Sequence, residues 1–80
     1  MTRDEVRIGL EEVLKEVLSL SSATILNTTT ARDFTNWDSL AHIDIIIAAE
    51  ERFNVRITAS KAARLKTLGE LIDLILEKKK

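Results

Sequence analysis

Residues 37–57 read Trp37-Asp38-Ser39-Leu40-Ala41-His42-Ile43-Asp44-Ile45-Ile46-Ile47-Ala48-Ala49-Glu50-Glu51-Arg52-Phe53-Asn54-Val55-Arg56-Ile57. Asp38 is a preferred N-cap type, so the chain passes from loop to helix at Ser39. The apolar residues beyond it keep helical spacing and predict a helix over Ser39–Phe53, with Asn54–Ile57 extended. At about 100° per residue, Ile45, Ile46, Ala49 and Phe53 fall on one side, with His42 beside them. Leu40, Ile43 and Ile47 fall on the other, flanked by Asp44 and Glu51. A helix apolar on two sides is either wholly buried or carries a core face and a second face for docking.

Outward from this stretch, Thr2-x-x-Glu5 is a capping-box pattern and opens a first helix over about Arg3–Leu20. Val6, Leu10, Val13, Leu14, Val17 and Leu18 form its apolar stripe. Glu11, Glu12, Lys15 and Glu16 fill the other face, with Glu11 and Lys15 spaced as an i,i+4 ion pair. Ser21–Trp37 is rich in Ser, Thr and Asn and lacks periodicity. So long a connection in so small a chain needs anchors, and Ile25, Leu26, Phe34 and Trp37 are the candidates. Thr58 caps a short segment, Ala59–Leu65. Thr67-x-x-Glu70 is a second capping box and starts a last helix, with Leu68, Leu71, Ile72, Ile75 and Leu76 inward. Lys78–Lys80 suit the dipole at its end and are expected to be solvated and frayed. The fold class is all-α: a small four-helix bundle of three main helices and one short one, in a single domain over residues 1–80.

Composition narrows the chemistry. The 80 residues include no Cys and one His, which excludes disulfides, thiolate chemistry and multi-His metal sites. Apolar residues make up 45% and aromatics 4%, so the core must be aliphatic. A chain of this size buries only about 60–65% of its unfolded surface, so modest stability is expected. No stretch is long and apolar enough to span a bilayer, and the charged start lacks a signal-peptide h-region; a cytoplasmic, free-standing domain is the expectation. Charge is uneven: residues 1–51 hold ten acids and four bases (−6), and residues 52–80 hold three acids and eight bases (+5). Arg52, Arg56, Lys61, Arg64 and Lys66 form a run without an intervening acid. The chain is slightly acidic overall and has no aromatic platform among those bases, which argues against nucleic acid.

Ser39 is the residue with chemistry to offer. Helix N-termini present unpaired N–H groups and partial positive charge, so a phosphate esterified to Ser39 would meet a favourable field. Asp38 can accept from the amides two or three residues on and is also an acceptor able to engage a metal-bound phosphate donor. Asp-Ser at a helix start is by itself an ordinary cap. The second apolar stripe beginning one residue later makes it a candidate attachment site beside a docking face.

Trp37-Asp38-Ser39-Leu40, Glu50-Glu51-x-Phe53-x-x-x-Ile57 and the spacing into Leu65–Ile75 resemble the acyl carrier protein family over nearly the whole chain. The resemblance implies an acyl-carrier-like bundle that is not an enzyme. In it Ser39 takes 4′-phosphopantetheine from a phosphopantetheinyl transferase, with Asp38 as the acid associated with that transfer. It assigns Leu40, Ile43, Asp44, Ile47, Glu50 and Glu51 to the partner-binding helix. Ile45, Ala49 and Phe53 match core positions, and the small Ala49 leaves room for or near an acyl chain. The missing thiol is then supplied by the arm, and catalysis by partners: an acyl-loading ligase or acyltransferase, then downstream synthases.

The family's fatty-acid members are usually strongly acidic, with acids where this chain has Ala41, Arg52, Arg56, Lys61 and Arg64; Trp37 and His42 also depart from them. These departures point to a specialised, acyl or polyketide-type carrier, monomeric, with the basic 52–66 segment, Arg56 included, choosing an acidic partner surface. Two other readings share parts of the pattern. An aminoacyl or hydroxyacyl carrier loaded by a ligase would share every motif, whereas a noncatalytic helical adaptor would leave Ser39 unmodified. His42 reads as a partly buried structural residue or a contact to the arm, and Trp37 as a loop anchor or a ligand stack.

Overall fold

The computed structural model describes residues 1–34 and 36–79. Among them stand four α-helices and no strand: α1 Arg3–Val17, α2 Ser39–Phe53, α3 Ala59–Arg64 and α4 Leu68–Lys78. A single 3₁₀ turn, Ala31–Asp33, lies in the long first connection. Of the sequence expectations, the part of that connection at Thr35 and the tail at Lys80 fall outside the described residues.

Local chemistry sets the helix starts. Thr2 Oγ1 accepts from the Glu5 N–H at 3.2 Å, and the Glu5 carboxylate accepts from the Thr2 N–H at 2.8 Å. Thr67 and Glu70 repeat the reciprocal box, and the Glu70 carboxylate also takes the Lys66 N–H at 2.6 Å. Thr58 Oγ1 caps α3 through the Lys61 N–H at 3.2 Å. The stops are local too. α1 ends at Val17, short of the expected Leu20, because Ser19 adopts φ 55° and the Leu20 N–H turns back to the Lys15 carbonyl at 2.9 Å. Asn54, at φ 53° and ψ 50°, closes α2 in the same manner, with the Val55 N–H on the Glu50 carbonyl at 3.1 Å.

α1 packs against α2 and α4. Their shared core is aliphatic but for Phe53: Val6, Leu10, Val13 and Leu14 meet Ile45, Ile46, Ala49 and Phe53, and Leu68, Leu71, Ile72, Leu74 and Ile75 close it. Leu74 is buried although it lies outside the expected stripe. The expected Val17 and Leu76 are only half-buried.

Leu26 is not an anchor of the first connection: it is 63% exposed, while Ile25 is 1% exposed. The backbone decides between these neighbours. The Ile25 N–H donates to the Glu11 carboxylate at 2.8 Å, and the Leu26 N–H donates to Thr29 Oγ1 at 2.8 Å, starting a turn that leaves the Leu26 side chain outside. Glu11 is thereby committed to Ile25 and to Arg7, at 3.0 Å, so the expected Glu11–Lys15 pair does not form. The connection is stitched to α4 by the Leu68 N–H on the Thr29 carbonyl (2.8 Å) and the Gly69 N–H on the Asn27 carbonyl (3.2 Å). From α1, the Arg3 guanidinium reaches across to Asp73, Asn27 Oδ1 and the Gly69 carbonyl.

Candidate functional site

Ser39 is the first residue of α2 and is exposed. Asp38 caps the helix, its Oδ1 accepting from the Ala41 N–H at 2.8 Å, and the first intrahelical bond runs from the His42 N–H to the Asp38 carbonyl at 2.9 Å. The Ser39 and Leu40 amides have no protein acceptor among the described residues, as expected of a first turn. No acid occupies that turn inside the cap. A phosphodiester on Ser39 Oγ thus fits the position: the oxygen is accessible, the field at the helix end is positive, and the nearest carboxylate is turned into its own cap.

The two faces of α2 separate as their spacing predicts. Ile45, Ile46, Ala49 and Phe53 are buried, whereas Leu40, Ile43 and Ile47 are 73%, 54% and 47% exposed. The wholly buried reading of this helix is therefore wrong. Asp44 and Glu51 flank the stripe and are exposed. Glu50 is half-buried and has a structural task as well, accepting from the Ile57 N–H at 2.7 Å and so folding the α2–α3 connection back on the helix. Arg56, in that connection, is exposed.

Between α2 and α3 lies an open groove of about 340 Å³, lined by Ile43, Ile46, Ile47, Ile57 and three alanines, Ala59, Ala62 and Ala63. The i, i+3, i+4 spacing of those alanines was the signal in the sequence for a helix with a thin side. Ala49 does not supply this space, since it is fully buried in the core. His42 borders the groove, and its ring joins three elements. The Trp37 indole N–H donates to His42 Nδ1 at 3.2 Å, and Nε2 lies 3.2 Å from the Ala62 carbonyl. With Nδ1 accepting, the proton sits on Nε2 and donates to Ala62. Trp37 stacks on His42 (centroids 6.0 Å) and leans on Phe34 (5.6 Å), so both residues are structural anchors beside Ser39.

Residues 9–75 match the family model described as a phosphopantetheine attachment site. The acyl carrier protein of Acidothermus cellulolyticus is 32% identical over 75 residues, covering 94% of this chain and 89% of that protein. The chain belongs to the acyl carrier protein family. The solution structure of a holo acyl carrier protein from Geobacter metallireducens superposes with a TM-score of 0.83 at 28% identity, covering 98% of this carrier and 85% of that chain. The meromycolate extension acyl carrier protein of Mycobacterium leprae is 27% identical over 75 residues, covering 94% of this carrier and 65% of that protein. The cofactor of this carrier is a covalent 4′-phosphopantetheine. Proteins of the family carry intermediates between transferases and synthases and are generally not themselves catalytic. No helix among the described residues is long and apolar enough to cross a membrane.

Proposed function

We propose that Ser39 is the attachment point and that the chain works as a single, monomeric, cytoplasmic carrier domain over residues 1–80 in a specialised acyl or polyketide-type pathway. Ser39 Oγ becomes the ester oxygen of a phosphodiester to the arm, whose thiol holds cargo as a thioester. The protein's own residues place and present it. Asp38 fixes the loop-to-helix junction, and Leu40, Ile43 and Ile47, with Asp44, Glu50 and Glu51 along the same helix, form the surface met by each partner. Those partners are a phosphopantetheinyl transferase, a loading ligase or acyltransferase, and downstream synthases. The observation that carries the reading is an accessible hydroxyl on the first residue of a capped helix, followed at once by an exposed apolar stripe. An adaptor with an unmodified Ser39 would need that stripe but no reason for the serine.

Acyl cargo is favoured over aminoacyl cargo because the polar groups bordering the groove are already engaged. Both His42 nitrogens and the Glu50 carboxylate have partners within the protein. A specialised role is supported by the bases on α3 and before it. Intact mass spectrometry tests the core of the proposal. Incubation with coenzyme A and a broad-specificity transferase should add one phosphopantetheine, and Ser39→Ala should abolish the gain. No mass increase under conditions that modify a control carrier would overturn it.

A further inference from the structure

Helices are often fastened at their start by an apolar contact between the residue before the cap and the fourth residue of the helix, which fixes the angle of chain entry. In α2 those positions belong to Trp37 and His42. The contact forms, with ring centroids 6.0 Å apart, but one of its members can take up a proton. Side chains must hold this segment, because among the described residues no backbone hydrogen bond ties Asn36 or Trp37 to the rest of the protein. Asn36 Nδ2 donates to the Leu18 carbonyl at 2.7 Å, and the Trp37 indole N–H donates to His42 Nδ1 at 3.2 Å. The second bond needs the Nδ1 lone pair. A proton from solvent on that lone pair leaves two N–H groups facing each other, so the indole bond breaks. Nε2–H keeps the Ala62 carbonyl in either state, so α3 stays fastened while the loop side is released.

The charged neighbours offer the protonated ring no replacement. Lys66 shares a cavity of about 40 Å³ with both rings, and Glu50 shares the α2–α3 groove with His42. Asp38 lies one turn earlier on the helix. Both carboxylates are taken by backbone amides, those of Ile57 and Ala41, and neither bonds the imidazole. Lys61, Arg64 and Glu70 line the far flank of α3 and α4. The other residues around the small cavity, from Ala31 in the first connection to Leu65, Thr67, Leu68 and Leu71, are uncharged. That cavity has room for water, which can take over the indole N–H once Nδ1 is lost.

We infer that His42 is a proton-operated latch on the segment leading into Ser39. Neutral, it holds Trp37 and with it the entry of the chain into α2; protonated, it lets Trp37 go while α3 stays in place. The inference rests on the carrier reading for what the latch controls, the order of the attachment junction, and it makes His42 a positioning residue for Ser39. Imidazoles change charge within about pH 5–8, so that is the range in which the latch is tested.

With one His and one Trp in the chain, each end of the latch gives a single signal. The full chain, without an arm, is titrated from about pH 8 to 5 and followed by NMR and fluorescence. The His42 ring C–H, the Trp37 indole N–H and the Ser39 amide should shift in one common transition, and the Trp37 emission maximum should move to the red. The Ala62 and Ala63 amides should move much less. In His42→Gln, checked for its fold by circular dichroism, the indole, the Ser39 amide and the emission should stay flat over the same range. An emission maximum that stays put while the His42 ring titrates overturns the inference; quenching alone would mean that the charged ring remains stacked on the indole. A His42 ring that takes no proton in this range overturns it as well. So does an indole transition that persists in His42→Gln, or a larger shift at Ala62 than at the indole. Should the variant not fold, the common transition and red shift in the parent decide by themselves. None of these outcomes bears on arm attachment, which the mass measurement decides separately.

Discussion

Gly69 shows how one residue can invert a general rule. Glycine inside a helix usually costs about 1 kcal/mol relative to alanine. Here it stands in the first turn of α4, against the first connection. A Cβ at this position would come within 2.6 Å of the Asn27 carbonyl oxygen and 3.1 Å of its Cα. Those atoms are backbone; the carbonyl is held by the Gly69 N–H, and the Asn27 side-chain oxygen is held by Arg3, so they cannot readily swing aside. Gly69→Ala should therefore destabilise the protein, by about 1–3 kcal/mol, in urea unfolding. A stabilised variant would mean that the connection yields readily. Nothing in the sequence near residue 69 announces this contact, because its cause lies in a loop some forty residues earlier. Ser39 is the opposite case, since its position follows from its immediate neighbours Asp38 and Leu40.

At the scale of elements, α3 is a six-residue helix held to α2 by two hydrogen bonds to its backbone and its lead-in: His42 to the Ala62 carbonyl, and Glu50 to the Ile57 N–H. His42→Ala would leave the Trp37 indole and the Ala62 carbonyl without their partner. A loss of about 1–3 kcal/mol is expected, together with a red shift of Trp37 emission, the chain having no other Trp and no Tyr. An unchanged spectrum would show that Phe34 alone holds the indole. Helix starts were legible in the sequence because caps and boxes act over three residues: Thr2–Glu5, Thr58–Lys61 and Thr67–Glu70 all form as spaced. Two of the three expected loop anchors besides Trp37, Ile25 and Phe34, also pack as expected. Leu26 did not, because choosing between adjacent apolar residues required knowing that Glu11 would capture one amide and Thr29 the next.

For the whole molecule, one source of pH dependence lies at the N-terminus of α1. Glu5 titrates below its ordinary value of 4.5, chiefly because the Thr2 N–H, and then the Thr2 hydroxyl, bond its carboxylate. A carboxyl lowered on folding adds stability that is present above its unfolded value and lost as pH falls through the folded one. Glu5→Gln should therefore be less stable than the parent at neutral pH, and the gap should narrow below pH 4.5. A gap independent of pH would assign the cost to lost shape and not to charge. Long-range ties such as Arg3 to Asp73 and Arg52 to Glu12 were invisible beforehand, since any of several acids could have served each arginine.

The way α3 is fastened has an evolutionary corollary. Its ties use the Ala62 carbonyl, the Ile57 amide and the Thr58 cap, so none depends on the outward side chains at Ser60, Lys61, Ala63 or Arg64. Mutation can rewrite those four positions with little penalty to folding. Under the proposed function, in which the basic segment reaching into α3 selects partners, a duplicated copy of this chain could change allegiance from one set of enzymes to another by drift on a single turn and a half of helix, with Ser39 and the core kept intact.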